Sequence, residues 1–327
     1  MSDYDIQIRP ILFVDLRPET DEDNEKLEHA LKNLVQQDPS IRVEPRPFKG
    51  ETRLCGMSES HLQGVCDRLL NEFKIKFSFG EPTVIYLETI RKTAEGEGKY
   101  IRQTGGLGNY AHCQLRLEPC DQDNGYQFIN ACQADVVPEK YIEPIHGGVQ
   151  SALKAGILAG YSLEFVKVSL LDGSYHETDS NEMAFRFAAA MALRDAVRKA
   201  SPVLLEPVMA VEVIVPPGQI GAIISDINVC RGRIEGIELV GGSQVIRASV
   251  PLGEILSYDK ETRAWARGHA RHTMRFARYE PVPYRRGTEG DGVGVAAIKP
   301  TGTRPGSGFA AAQFDTEPEE RTRGEQI

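Results

Sequence analysis

Residues 158–213 read LAGYSLEFVKVSLLDGSYHETDSNEMAFRFAAAMALRDAVRKASPVLLEPVMAVEV, and this stretch decides the fold around it. Its apolar residues predict a strand at Ser162–Leu170, and Ser180 is the predicted N-cap of a helix that ends at Ala200. A second strand is predicted at Val208–Val215. Strands that alternate with an amphipathic helix are typical of an α/β or α+β domain.

The residues before this stretch extend the same domain. Strands are predicted at Val84–Ile90, Glu97–Gln103 and His112–Glu118. A helix follows from Tyr141, and its apolar residues recur on one face at Ile142, Ile145, Val149 and Leu153. We therefore predict an independent α+β domain over residues 85–201.

The N-terminal region, residues 1–84, shows the order βαββαβ. Thr20 precedes three acidic residues and predicts an N-cap for the first helix. The apolar spacing from Leu62 to Phe73 predicts the second helix. Strands are predicted at Ile8–Leu16, Ile41–Pro45, Thr52–Cys55 and Lys74–Phe79.

The same order returns in residues 202–283. A strand and a helix lined by isoleucines precede a predicted hairpin around Gly241-Gly242, and a helix at about 252–266 and a strand at His272–Tyr279 follow. Two ferredoxin-like βαββαβ sandwiches thus flank the middle domain in an α+β protein. Residues 284–327 are rich in Gly and have few large apolar residues, so we predict a disordered tail.

Composition limits the functional class. The 38 basic and 47 acidic residues give a net charge of -9, which argues against coating nucleic acid by bulk charge but allows a local RNA contact. Six cysteines without metal-site spacing predict plain thiols in a reducing compartment. No run approaches the roughly 18 apolar residues that span a bilayer. The sequence predicts a cytoplasmic protein without a membrane partner.

Motifs for catalysis are missing from the sequence. It has no GxxxxGK[ST] P-loop, so GTP hydrolysis cannot be assigned to this chain. The stretch Gly56-Met57-Ser58-Glu59-Ser60 lacks the second glycine of a nucleophile elbow. His269 and His272 fall in a predicted turn and strand, where they would not share a face. We predict no catalytic residue, no metal site and no cofactor on this chain.

Two loops of the middle domain are candidates for binding. Residues 104–110, TGGLGNY, contain three glycines, which let backbone approach a ligand closely, although a flexible hairpin would have the same composition. Residues 172–179, DGSYHETD, place an aromatic ring and an imidazole at a turn. Such groups stack on and hydrogen-bond to unpaired RNA, but a Tyr and a His in a loop are often only surface residues.

Several long segments resemble translation elongation factor G in the right order from Pro10 to Pro283. They read LCGMSESHLQGVCDRLLNEFK (54–74), ETIRKTAEGEGKYIRQTGGLGNYAH (88–112), the opening stretch at 158–213, and RGRIEGIEL (231–239). The resemblance covers domains III, IV and V of that family. It implies that the middle domain is similar to the elongated domain IV, of the ribosomal protein S5 domain 2-like type, and that the family's GTPase domain is missing here.

The resemblance also implies which residues bind the ribosome. Domain IV enters the decoding site, and its tip would comprise Gly105, Gly106, Leu107, Gly108, Asn109, Tyr110, Ser174, Tyr175 and His176. His176 falls on the family's tip histidine. Within the family pattern GGRGQYGH, however, Leu107 replaces Arg, Asn109 replaces Gln and Ala111 replaces Gly. The tip has lost one charge that could contact phosphate.

Four arginines are further docking candidates. Arg231 and Arg233 lie in the stretch RGRIEGIEL, and Arg263 and Arg267 lie in a locally basic segment that begins at Arg263. The predicted function is a ribosome-binding translation factor that acts on ribosomal RNA, tRNA and mRNA at the decoding site during translocation, with a GTPase domain supplied in trans as one option. The alternative is a GTPase-less paralogue that protects or occupies the ribosome. A hydrolytic or metal enzyme on the same fold is a third reading, since fold does not fix function.

Overall fold

The computed structural model describes residues 9–45, 51–104, 107–123, 125–133, 136–215, 218–257 and 271–283. The predicted tail at 284–327 and most of the helix predicted at 252–266 therefore lie outside the described residues. The described part is α+β, with three sheets, as predicted.

The N-terminal domain is a ferredoxin-like sandwich. Its elements are β1 (Leu12–Pro18), α1 (Asp21–Gln37), β2 (Arg42–Pro45), β3 (Thr52–Gly56), α2 (Glu59–Asn71), β4 (Phe77–Phe79) and β5 (Thr83–Val84). The antiparallel sheet has the order β2-β3-β1-β4, and β5 pairs with the start of β1. The predicted cap is confirmed, because the Thr20 hydroxyl accepts a hydrogen bond from the Asp23 amide at 3.1 Å. Both helices bury their leucine-rich faces against the sheet.

The middle domain places two helices on one face of a mixed sheet. Its elements are β7 (Ala94–Thr104), β8 (Leu107–Pro119), β9 (Gln127–Asn130), α3 (Ile142–Ala155), β10 (Val166–Ser174) and α4 (Glu182–Lys199). The sheet order is β7-β8-β10-β9, and the short β9 runs parallel to β10. The face of α3 that carries Ile145, Val149 and Leu153 is buried, as its spacing predicts.

The C-terminal domain repeats the ferredoxin-like order. Its described elements are β11 (Pro202–Val215), α5 (Ile220–Val229), β12 (Arg233–Val240), β13 (Ser243–Pro251), α6 (Leu252–Ser257) and β14 (Arg271–Pro281). The sheet order is β12-β13-β11-β14. Gly241 and Gly242 join β12 to β13 with φ angles of 56° and 84°, the positive values that a tight hairpin turn needs.

The strand predicted at Val84–Ile90 differs in the structure. It is split between β5, which pairs with β1, and a separate strand β6 (Leu87–Ile90), which pairs with β11. Neither part joins the sheet of the middle domain. β11 correspondingly begins at Pro202 instead of Val208, because its first residues pair with β6.

Glycines allow α4 to lie directly on β7. A Cβ atom placed on Gly98 would stand 2.0 Å from the carbonyl oxygen of Ala188, and one on Gly96 would stand 2.2 Å from that of Ala192. The facing positions of α4 are alanines that are fully buried. Helix and strand therefore pack backbone against backbone, and no other residue type fits at Gly96 or Gly98 without displacing the helix.

A buried carboxylate organises the base of the middle domain. Glu88 of β6 is 0% exposed, and its carboxylate accepts four backbone hydrogen bonds between 2.7 and 3.1 Å. The donors are the amides of Ile157, Leu158, Ala159 and Tyr161. Four N–H dipoles that converge on one carboxylate compensate for its desolvation. The loop between α3 and β10 is thus wrapped around a residue of β6.

The same region joins all three domains. Gln122 of the middle domain bonds to both backbone groups of Tyr279 in β14, at 2.7 and 3.2 Å. Arg9 of the N-terminal domain pairs with Glu164 at 3.2 Å. The phenol of Tyr279 donates to the carbonyl of Ile85 at 3.3 Å. These contacts, together with Glu88, fix the base of the middle domain against its two neighbours.

Candidate functional site

The glycine-rich loop and the loop that contains His176 meet at one end of the middle domain. The Tyr110 amide donates to the carbonyl of Asp179 at 2.8 Å, and the Ser180 hydroxyl donates to the carbonyl of Tyr110 at 2.7 Å. The Tyr110 phenol lies 2.8 Å from the Ser174 hydroxyl. We call residues 107–110 and 174–181 the tip. Its two halves are joined by hydrogen bonds, so the exposed side chains stand on a preformed support.

The cap of α4 differs from the prediction. Asn181, and not Ser180, caps the helix, because its Oδ1 accepts from the Ala184 amide at 2.9 Å. The Ser180 hydroxyl is used instead between the loops, where it accepts from the His176 amide and donates to Tyr110. The polar run from Thr178 to Asn181 signals a helix start, but periodicity does not say which of these residues is the cap.

Asn109 is bound within the tip. Its Oδ1 accepts a hydrogen bond of 2.5 Å from the side-chain amide of Asn181. Next to it, Gly108 lies against Asp179, where an added Cβ would come within 2.8 Å of the carboxylate carbon. The side chain of Asn109 therefore serves the joint between the loops.

His176 and Tyr175 are the exposed rings of the tip. The His176 side chain is 60% exposed, and Tyr175 is 41% exposed. Among the described residues, the polar contacts of the His176 ring are at Nδ1, which lies 3.1 Å from the Thr178 hydroxyl and 3.4 Å from Oδ2 of Asp179. An imidazole and a phenol that face solvent on a fixed loop can stack on a base or exchange a hydrogen bond with it.

The structure describes some of the other predicted tip residues and not all of them. Gly105 and Gly106 lie outside the described residues. Leu107 begins β8 opposite Thr104 of β7. Ser174 ends β10 instead of lying in a loop, and it pairs with His112 of β8. The tip is therefore built from strand ends as well as from the helix cap.

Arg231 is bound inside the C-terminal domain. Its Nη atoms lie 2.9 and 2.8 Å from the carboxylate of Glu206, and its Nε lies 2.7 Å from Glu254. These carboxylates raise the pKa of Arg231, with the hydrogen bonds to Glu206 as the largest cause. Its backbone also has a positive φ of 56°. Docking through Arg231 stays a prediction, although its guanidinium already has two internal partners.

The other basic candidates differ in their surroundings. The Arg233 side chain is 76% exposed and lies 3.4 Å from Glu280. It is the described candidate with the most accessible charge. Arg263 and Arg267 lie outside the described residues.

The described residues offer little for other chemistry. Within the described ranges, no three His, Cys, Asp or Glu side chains come together as metal ligands. Burial raises the pKa of Cys55, Cys66 and Cys113 to about 12, so these thiols are not activated nucleophiles. None of the helices described here is long and apolar enough to cross a membrane.

Family models match the chain along most of its length. Elongation factor G domain III matches residues 9–81, domain IV matches residues 82–201, and the C-terminal domain matches residues 203–288. The chain belongs to the elongation factor G family. It carries domains III, IV and V of elongation factor G, and none of the three matching models describes a GTPase domain. The tip lies within the segment that matches domain IV.

A solved structure shows the same likeness. A protein of Thermus thermophilus, known from a crystal structure, is 40% identical to this chain and superposes with a TM-score of 0.62. The match covers 84% of this chain and 41% of the Thermus protein. The chain therefore spans less than half the length of this relative.

Proposed function

We propose that this chain is a ribosome-binding translation factor module of the elongation factor G type, whose domain IV acts at the decoding site during translocation of tRNA and mRNA. The observation that carries this proposal is the tip, where His176 stands exposed on two loops joined by hydrogen bonds. The family of the three domains supplies the class of partner.

The physical basis is local recognition by preformed groups. Base stacking and hydrogen bonding at a fixed tip need no large positive field, which agrees with the net charge of -9. A rigid support lowers the entropy lost on binding. Basic residues of domain V, with Arg233 as the accessible one, would add contacts to ribosomal RNA.

We further propose that the chain is not an enzyme and binds no cofactor. GTP then acts only through a GTPase domain on another part of a longer protein or in trans. The proposed location is the cytoplasm, where ribosomes are found.

Occupancy or protection of the ribosome is the second candidate. It is favoured by the tip residues that depart from the family pattern: Leu107 brings no charge, and Asn109 is bound to Asn181. A tip with fewer groups for phosphate suits a factor that sits in the decoding site without moving tRNA. Translocation assays on ribosomes separate the two, because only the first role advances the mRNA.

Replacing His176 with alanine should weaken ribosome binding without affecting folding. Loss of a stacking or hydrogen-bonding ring removes about 1–3 kcal/mol of interaction, whereas an exposed substitution changes stability by only about 0.5 kcal/mol. Cosedimentation of the purified chain with ribosomes, together with urea unfolding, measures both. The matched control is His29→Ala, an exposed histidine on α1 far along the chain from the tip. Equal binding by the two variants and the unchanged protein would contradict the proposal.

Restoring the charge at the start of β8 tests the contact with phosphate. Leu107→Arg should strengthen ribosome binding and steepen its salt dependence by roughly one unit in the logarithmic slope, because one more phosphate is neutralised. Binding is measured across a series of salt concentrations. His29→Arg adds the same charge to domain III and should leave the slope nearly unchanged. A slope that changes equally in both variants would show that the charge acts through the general field, away from the tip.

A further inference from the structure

The environment of the His176 ring is asymmetric. Its Nδ1 lies 3.1 Å from the hydroxyl oxygen of Thr178 and 3.4 Å from Oδ2 of Asp179. The Thr178 hydroxyl in turn lies 3.4 Å from Oδ1 of the same carboxylate. Three groups thus form a closed triangle on the Nδ1 side of the ring. The side chain as a whole is 60% exposed, and Nε2 lies on the edge of the ring away from the contacts with Thr178 and Asp179.

The number of protons available for donation favours one tautomer of the neutral ring. The Thr178 hydroxyl has one proton and cannot donate to both Nδ1 and Asp179. With the proton on Nδ1, the ring donates to Thr178 and faces the carboxylate with a positive edge, while Thr178 donates to Asp179. With the proton on Nε2, the lone pair of Nδ1 faces the carboxylate at 3.4 Å, which is repulsive. The arrangement of acceptors therefore places the proton on Nδ1.

Asp179 is itself held in place. Its carbonyl accepts from the Tyr110 amide at 2.8 Å, and its carboxylate lies against Gly108 of the facing loop. The His176 amide donates to Ser180 at 2.9 Å, which fixes the backbone of the histidine as well. The carboxylate and the ring are thus both anchored to the joint between the loops.

We propose that Asp179 is a positioning residue that holds neutral His176 as the Nδ1–H tautomer and so presents Nε2 to RNA as a hydrogen-bond acceptor. The proposal rests on the function proposed above. The group it recognises is a hydrogen-bond donor, either a ribose 2′-hydroxyl or an exocyclic amine of a base, and not a phosphate oxygen. Asp179 acts through His176 and makes no contact with RNA of its own.

The tautomer is measured on the free protein by ¹⁵N NMR of labelled histidine. The signals of His176 are identified by their loss in His176→Gln, since the chain has seven histidines. We expect Nδ1 to carry the proton in the neutral ring, and we expect Asp179→Asn to shift the population towards the Nε2–H form. A ring that is mainly Nε2–H in the unchanged protein, or that does not respond to Asp179→Asn, would overturn the proposal.

Ribosome binding supplies the second readout. Asp179→Asn should weaken binding about 3- to 10-fold, whereas Glu81→Gln, which removes the same charge from an exposed residue outside the tip, should leave binding nearly unchanged. When His176 is already alanine, Asp179→Asn should not weaken binding further, because the ring that Asp179 positions is absent. If His176→Ala weakens binding and Asp179→Asn does not, positioning is wrong but the proposed function stands. If NMR shows the expected tautomer and neither variant weakens binding, the proposed function fails and the recognition of RNA fails with it.

The chemistry of the ligand is tested by replacing the ring. His176→Gln keeps an acceptor and should retain part of the affinity, whereas His176→Lys offers only donors and should lose it. Full binding by His176→Lys would show that the partner is an anion and would overturn the proposed acceptor role.

Ribosomes programmed with mRNA that carries 2′-deoxy substitutions at the decoded codon test whether the donor is a 2′-hydroxyl of that codon. If the deoxy mRNA binds more weakly and this difference disappears in His176→Ala, the donor is a 2′-hydroxyl of the codon, whereas equal affinity shows that it is not.

Discussion

Replacing Glu88 with alanine should lower the free energy of unfolding by about 3–5 kcal/mol, because four backbone amides lose their shared, buried acceptor at once. All four amides belong to the loop at 156–161 and share this one carboxylate. Urea unfolding measures the loss. Hydrogen exchange should report faster exchange for the amides of Ile157, Leu158, Ala159 and Tyr161.

Glu164 provides a matched control for this prediction. It is a glutamate of the same region, but its side chain is 24% exposed and pairs with Arg9. Glu164→Ala should cost only about 0–1 kcal/mol, as partly exposed ion pairs do. Glu88→Gln is expected to lie between the two, since its amide keeps one acceptor oxygen and turns a donor towards other donors. Equal losses for Glu88→Ala and Glu164→Ala would show that the four hydrogen bonds do not organise the base of domain IV.

Replacing Gly98 with alanine should destabilise domain IV by about 1–3 kcal/mol or more, because the new Cβ would overlap the backbone of α4. The nearest atom is the carbonyl oxygen of Ala188 at 2.0 Å, and backbone cannot turn away as a side chain can. The helix must move off β7 to make room. Urea unfolding measures the loss, and weaker protection of α4 amides in hydrogen exchange would locate it.

Gly64 is the control of opposite sign. It lies within α2, and an added Cβ would have no neighbour within 4 Å. Gly64→Ala should therefore stabilise the chain by about 0.5–1 kcal/mol through helix propensity alone. If Gly98→Ala were also neutral or stabilising, the close packing of α4 on β7 would be wrong.

Local signals in the sequence predicted much of the fold. The Thr20 cap, the leucine faces of the first two helices and the Gly241-Gly242 turn all depend on neighbours a few residues away, and each lies where the pattern places it. The partition of Val84–Ile90 between two sheets could not be predicted in this way. Which sheet a strand joins depends on partners more than a hundred residues away, such as β11.

Glu88 and the tip likewise combine features that the local sequence shows with contacts that it does not. Glu88 looks like any polar residue of a strand in the stretch ETIRK, and its burial becomes visible only when the loop at 156–161 closes around it. The sequence places His176 in an exposed loop, and the family resemblance supplies its proposed role. The part that Asp179 and Ser180 play in the joint between the loops is not visible in the local sequence, because their partner Tyr110 is about 70 residues away.

The connection between domains IV and V is very short, because β11 begins almost directly after α4. α4 ends at Lys199, and Pro202 already belongs to a strand that is fastened to β6 and that continues to Val215 in the sheet of domain V. The end of domain IV is therefore joined directly to a continuous strand that hydrogen-bonds to its neighbours along its whole length. The two residues between α4 and β11 are too few to form a free linker, so we expect domains IV and V to move together and not as independently tethered bodies.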